Sequence, residues 1–336
     1  MKLRGLCASV VLTITAMKRI LAFLGASVAL LACLPHASSQ QSAKPNELGR
    51  VLILEYHLVE QKETRWGRSV QDFKRDLQQL YQGGYRTLAL GDYIDGKITL
   101  PDGTHPVILT FDDSSPGQFR YIVQNGKKEI DPDCAVGIMI DFARLHPDFG
   151  RKAIFFVLPG AAEPHRLFGQ PEYEGEKLRE LAARGFEIGN HTLWHANLGK
   201  YGALTVKKQL ALAVQAIRRV VPGYSIRALA LPFGVYPIDL DLAVEGSCEG
   251  ISYHNDAILR VSGGPAPSPF NRHCDLLHLP RIQLTGGALK SWLDHFSTHP
   301  EDVFTSDGNA ATVTFPRNLA EEFNAQRFAG LRPISY

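Results

Sequence analysis

Short runs of four to nine residues rich in apolar side chains, most of them separated by a helical pattern, set the rhythm of this chain. Val51-Leu52-Ile53-Leu54, Val107 to Phe111, Ala153 to Val157, Ile226 to Leu231 and Leu276 to Leu284 read as buried strands. Between them lie helical spacings. Val70, Phe73, Leu77, Leu80 and Tyr81 follow a Ser69 cap with Asp72 three residues on, and Gly83-Gly84 ends the run. Leu178, Leu181 and Ala182 form a short helix closed by Gly185, Leu204 to Val221 a longer one, and Trp292, Leu293 and Phe296 belong to a last one. Strand and helix in alternation predict an α/β fold with a parallel sheet.

Two adjacent carboxylates, Asp112 and Asp113, stand at the end of the run Ile108-Leu109-Thr110-Phe111. The tip of a buried strand is where α/β proteins place their chemistry. His191 and His195, four apart in Asn190-His191-Thr192-Leu193-Trp194-His195, fall on one side of a helical turn. Two imidazoles and one carboxylate make the facial ligand set of a divalent ion with open positions, so the pattern points to a metal-dependent hydrolase. An Asp pair alone reads more readily as a helix cap or a solvated turn, and a His pair alone as a surface helix. Three motifs in order, each after a strand, argue against both.

The order Thr-Phe-Asp-Asp, His-Thr-x-x-His and Pro232-Phe233-Gly234 resembles the polysaccharide deacetylase family, the NodB-homology or carbohydrate esterase 4 group, over about Val51 to Phe296. The resemblance implies a distorted (β/α) barrel of the NodB, or glycoside hydrolase/deacetylase, type. It implies metal ligands Asp113, His191 and His195, with Asp112 as the general base and the Phe233 backbone N–H as an oxyanion donor. Zn²⁺ suits that donor set, and Co²⁺, Ni²⁺ or Mn²⁺ would be accepted. The substrate implied is an acetylated polysaccharide, with N-acetylglucosamine units first. Alternatives are an O-acetyl esterase on a polysaccharide and a carbohydrate-binding relative impaired in turnover.

The family commonly carries an Arg two residues before the Pro of the third motif, to orient the base; here that position is Ala230. Arg281, in Leu279-Pro280-Arg281-Ile282, is the candidate substitute, with a salt bridge elsewhere as the competing reading. Tyr56-His57 early and Leu-Pro-Arg-Ile late look more like the exported poly-N-acetylglucosamine type, in which the early His is the general acid. His57 and His278 compete for that role, and His57, just past the first strand, has the stronger geometric claim.

The first 39 residues differ from the rest. Lys18 and Arg19 precede the apolar run Ile20 to Ala32, and no acidic residue appears before Glu47, which reads as an export leader. Leu30-Leu31-Ala32-Cys33 resembles a lipobox, implying a lipidated Cys33 and a periplasmic or cell-envelope lipoprotein. Ordinary cleavage near Ala37-Ser38-Ser39 would instead give a secreted protein. Without residues 1–32 the chain keeps 32 basic against 34 acidic residues, a formal charge of −2, so nothing calls for nucleic acid. The expected organisation is a leader at 1–39, a linker at 40–50, the deacetylase domain at 51–299 and a packed extension at 300–336. An insertion at 114–152, with a helix near Cys134 to Arg144, is expected to shape the substrate groove.

Cys248 and Cys274 could pair in an oxidising compartment, with Cys134 left over; three free thiols fit equally. Gly91 to Ile98 mimics a phosphate loop, but Ile98 stands where Ser or Thr would bind Mg²⁺. No Gly-x-Ser-x-Gly elbow and no His-Glu-x-x-His occurs, which removes serine-esterase and zinc-peptidase readings.

Overall fold

A computed structural model describes residues 44–163 and 166–336. The leader and Cys33 lie outside the described residues. Eight strands form the main sheet: β1 (Leu52–Tyr56), β2 (Tyr85–Thr87), β3 (His105–Phe111), β4 (Ile154–Val157), β5 (Glu187–Asn190), β6 (Ala228–Ala230), β7 (Ala257–Leu259) and β8 (Ile282–Gln283). They run in the order β7-β6-β5-β4-β3-β1-β8, with β2 alongside the start of β3, and every pairing is parallel. A parallel bridge between Leu259 and Leu279 joins the two ends. The sheet is therefore a curled, distorted parallel barrel; the alternation of strands and helices implied its parallel α/β character, and the motif resemblance its barrel form.

Alternation along each strand divides the chain into two cores. Leu52, Leu54 and Tyr56, with Val107, Leu109 and Phe111, face outward and pack beneath the helices. The inner set holds Val51, Ile53, Ile108, Phe156, Ala228, Ala230, Ala257 and Leu279. Continuing that inner parity up each strand gives Glu55 and His57, Thr110 and Asp112, His191, Arg281 and Gln283. Period-two geometry thus aims these polar side chains at one point, and the small Gly189, Ala228 and Ala230 leave them room.

The helices follow their sequence signals closely. Val70–Gln82 is capped by Ser69, whose hydroxyl accepts from the Asp72 N–H at 3.0 Å, and stops at Gly83. Ala203–Val220 and Ala288–Thr298 are the long and the last helix. Among the described residues no helix is long and apolar enough to cross a membrane.

Three expectations differ from what is observed, and the open choice between a disulfide and three free thiols is decided for the thiols. Residues 46–50 are tied into the domain: Asn46 and Arg50 bridge to Thr305 and Val303, and Leu48 is buried. Their partners are about 250 positions away, beyond any local pattern. The segment 114–152 forms a hairpin, Tyr121–Gln124 with Lys127–Ile130, and the helix Ala135–Leu145. The hairpin and helix pack on the flank, where Tyr121 donates to Glu180 and Lys128 to Glu176, and do not line the cleft described below, whereas Ser115 and Gln118 at the start of the segment donate to the His57 carbonyl. The run 276–284 is a strand only at Ile282–Gln283, because Asp275 caps a 3₁₀ turn at Leu276–His278. Cys134, Cys248 and Cys274 are all free.

Candidate active site

Asp113, His191 and His195 come together at the C-terminal ends of the strands, their ligand atoms within 4.8 Å of one another. Asp113 Oδ1 lies 3.2 Å from Nε2 of each histidine. It is buried and makes no hydrogen bond of acceptable geometry. The His191 Nδ1–H donates to the Ala230 carbonyl at 2.8 Å, which turns Nε2 toward Asp113. A buried carboxylate oxygen between two imidazole nitrogens, with nothing else to bind, fits a divalent cation.

The two histidines are not on a helix. Residues 191–195 form a turn in which Thr192 and His195 both take positive φ, 70° and 67°. Asn190 Oδ1 accepts from the Thr192 N–H at 2.8 Å, and Thr192 Oγ1 from the Ala196 N–H at 3.0 Å, so side chains replace the helical ladder. Asp113 (φ 75°), Ser114 (φ 54°) and Phe233 (φ 59°) are held in the same region. Five non-glycine residues in a conformation that favours glycine, all around one cluster, mark a site held in place by its surroundings.

Asp112 is buried beside this cluster, and Arg281 supplies what Ala230 lacks. Arg281 donates Nη1 to Asp112 Oδ1 at 2.9 Å and Nη2 to Oδ2 at 2.7 Å, while its Nε reaches the Arg260 carbonyl at 2.7 Å. Burial alone would raise the Asp112 carboxyl, but the Arg281 charge and its hydrogen bonds outweigh that and hold it below the ordinary value. Arg281 is itself fully buried, so neither partner could be there alone.

His57 stands across from the Asp113 cluster, in edge-on contact with Trp66 at 5.7 Å. Burial lowers its pKa, with Asp112 and Asp113 opposing. A cleft of about 510 Å³ opens here, lined by His57, Trp66, Asp113, His195 and Phe233 among others. The Phe233 ring is 60% exposed and meets His195 edge-on at 4.5 Å. His278 does not join them: it sits on the surface turn 276–278, where Nδ1 pairs with Asp275 at 2.8 Å.

Two residues escaped the sequence reading. Glu55 lies fully inside the barrel next to His57 and Arg281, and its signal was a lone acid in the buried run Leu52–Tyr56. Trp66 sits between short strands Leu58–Glu60 and Gly67–Ser69, where no periodicity marks it.

The polysaccharide deacetylase family model matches residues 142–245, which hold both histidines and Phe233. The matched family is the one the motifs implied. Chitooligosaccharide deacetylase of Sinorhizobium fredii is 35% identical over 63 residues, 19% of this chain and 29% of that protein. The Bradyrhizobium protein of the same description is 28% identical over 138 residues, 41% and 50% of the two chains. The chain thus spans half or less of the length of these curated relatives. Among solved structures, deacetylase PplD of Streptococcus pyogenes in complex with acetate superposes with a TM-score of 0.54 at 18% identity, covering 75% of this chain and 98% of that one. IcaB from Ammonifex degensii gives 0.50 at 18% identity, with 73% and 96% covered. These structures share the barrel fold.

Proposed function

We propose that the chain is a metal-dependent hydrolase that removes acetyl groups from N-acetylated sugars of an envelope or extracellular polysaccharide. The observation that carries this reading is Asp113 Oδ1, buried without a hydrogen bond at 3.2 Å from both His191 and His195 Nε2, with an ionised Asp112 next to it. Asp113, His191 and His195 would hold the ion, and zinc suits two imidazoles and a carboxylate, though cobalt, nickel or manganese would also fit. Bound there, a divalent ion supplies Lewis acidity toward a carbonyl oxygen and acidifies a water.

The chain's own residues account for the proton movements. Asp112 stays ionised at neutral pH and takes the proton of the attacking water on a carboxylate oxygen. Arg281 fixes the plane of that carboxylate, which keeps it off the metal and directed at the water. The Phe233 backbone N–H, turned by its positive φ, donates to the developing oxyanion. His57 protonates the departing amine, which cannot leave as an anion. Trp66 and Phe233 offer exposed aromatic faces on either side of the cleft, suited to the apolar faces of a sugar ring.

The test is acetate release from N-acetylglucosamine oligomers and from O-acetylated glycans by metal-loaded protein. Release from the first supports the reading; release only from esters makes the chain an O-acetyl esterase, and binding without release makes it a carbohydrate-binding relative. The same reading takes the chain out of the cytoplasm through residues 1–39 and anchors it through Cys33. Loss of Cys33→Ser protein from the membrane fraction would support the anchor, and an unchanged distribution would oppose it.

A further inference from the structure

The main-chain ladder between β1 and β3 ends at Tyr56 and Phe111, one residue short of the two groups that move protons. Past that point the Asp112 N–H donates to the Tyr56 carbonyl at 2.9 Å, but among the described residues no main-chain N–H reaches the carbonyl of His57 or of Asp112. One side chain takes both. Gln118 is buried, and its Nε2 donates to the His57 carbonyl at 2.6 Å and also to the Asp112 carbonyl. The Ser115 hydroxyl adds a second donor to the His57 carbonyl at 3.1 Å. Carbonyls only accept, so the amide nitrogen of Gln118 and not its oxygen must face them. Gln118 Oε1 is left buried with no partner, a cost that an apolar residue of similar size would avoid.

The turn that carries Gln118 is itself braced. The Ala135 and Val136 N–H groups start the helix Ala135–Leu145, where no intrahelical acceptor exists, and donate to the Gly117 and Gln118 carbonyls at 2.9 and 3.0 Å. A Cβ on Gly117 would stand 1.9 Å from the Val59 carbonyl oxygen, so only glycine lets the turn lie this close to the chain that follows His57. The segment 114–152 thus touches the site through its first turn, not by lining the cleft. The Asp112 carbonyl belongs to the peptide unit that leads into Asp113, so Gln118 also holds the plane from which Asp113 takes its positive φ of 75°.

We propose that Gln118 is a positioning residue that ties the tip of β1 to the tip of β3, setting the separation between His57, the proton donor, and Asp112, the base. This rests on the reading of the site as an amide hydrolase. A donor and a base carried on separate strands serve one tetrahedral centre only when both backbones are held in register with it. Arg281 fixes the Asp112 side chain, and Gln118 fixes its main chain.

The experiment pairs ¹³C NMR of the His57 and Asp112 main-chain carbonyls in metal-free protein with turnover of the metal-loaded enzyme on N-acetylglucosamine oligomers. Gln118→Met keeps the length of the side chain and removes both donors. It should move both carbonyl resonances upfield and lower kcat by about 10- to 10²-fold, with KM and metal content unchanged. Gln118→Asn keeps the amide but is one methylene too short to reach both carbonyls; it should move at least one resonance and lower kcat by less, and it carries the test if Gln118→Met does not fold. Resonances that stay in place would overturn the proposal. So would a wild-type kcat in a folded variant, or a loss that lies wholly in KM or in bound metal, as a merely structural side chain would give. If wild type releases no acetate, the hydrolase reading fails, while the two resonances still decide whether Gln118 holds both strand tips.

Discussion

Arg281 and Asp112 face each other as fork and plate, two donors to two acceptors at 2.9 and 2.7 Å, with both side chains buried. Removing the guanidinium leaves a buried carboxylate alone. Arg281→Met should lower the unfolding free energy by about 3–5 kcal/mol in denaturant titrations. It should also move the acid limb of the pH–rate profile to higher pH, since Asp112 loses the charge that depresses its pKa and is protonated where wild type is not. An acid limb that stays in place would show that Arg281 does not set the state of Asp112.

Replacing His191 with Ala removes one Nε2 from Asp113 and frees the Ala230 carbonyl. Tightly bound metal, counted by elemental analysis, should fall from one equivalent to well below it, while far-UV circular dichroism keeps the wild-type shape. A full equivalent of tightly bound metal in this variant would contradict the ligand assignment.

Asp112→Asn separates base from ligand. The amide still fits the Arg281 side but cannot take a proton, so turnover should drop by roughly 10²- to 10⁴-fold with metal retained. Loss of the metal would move Asp112 into the coordination shell.

Glu47 carries a prediction about stability rather than catalysis. Its buried carboxyl accepts from the Thr314 N–H at 2.8 Å and so joins the segment before β1 to the strand Thr312–Phe315. Burial, aided by nearby Asp307, raises its pKa from 4.5 to about 8 despite the Thr314 hydrogen bond. The folded state binds this proton more tightly than the unfolded one. Its contribution is therefore complete below about pH 4.5 and fades as pH climbs to about 8. The melting temperature of wild type should fall over that interval relative to Glu47→Gln; parallel curves would refute the assignment.

The strands and helices were legible because apolar spacing and caps are local. So was the clustering of Asp112, Asp113, His191, His195 and Phe233, whose residue types travel in short motifs, and the pairing of Arg281 with Asp112, found by asking what could replace the missing arginine at Ala230. The turn around His191 was misread as helical because i, i+4 spacing looks the same when Asn190 and Thr192 side chains supply the hydrogen bonds. Glu55 follows from counting alternate residues up β1 from Ile53, once the inner face is known. The pairing of residues 46–50 with Val303–Thr305 had no such route, since it depends on where the extension returns.

Acetate released from N-acetylglucosamine oligomers by metal-reconstituted protein, measured beside Asp113→Ala treated identically, tests the central claim most directly. The account predicts one new free amine per acetate from the wild type, abolished by chelation and restored by a divalent ion, and none above background from Asp113→Ala. Release that survives complete removal of the metal, or that persists in Asp113→Ala, would contradict it.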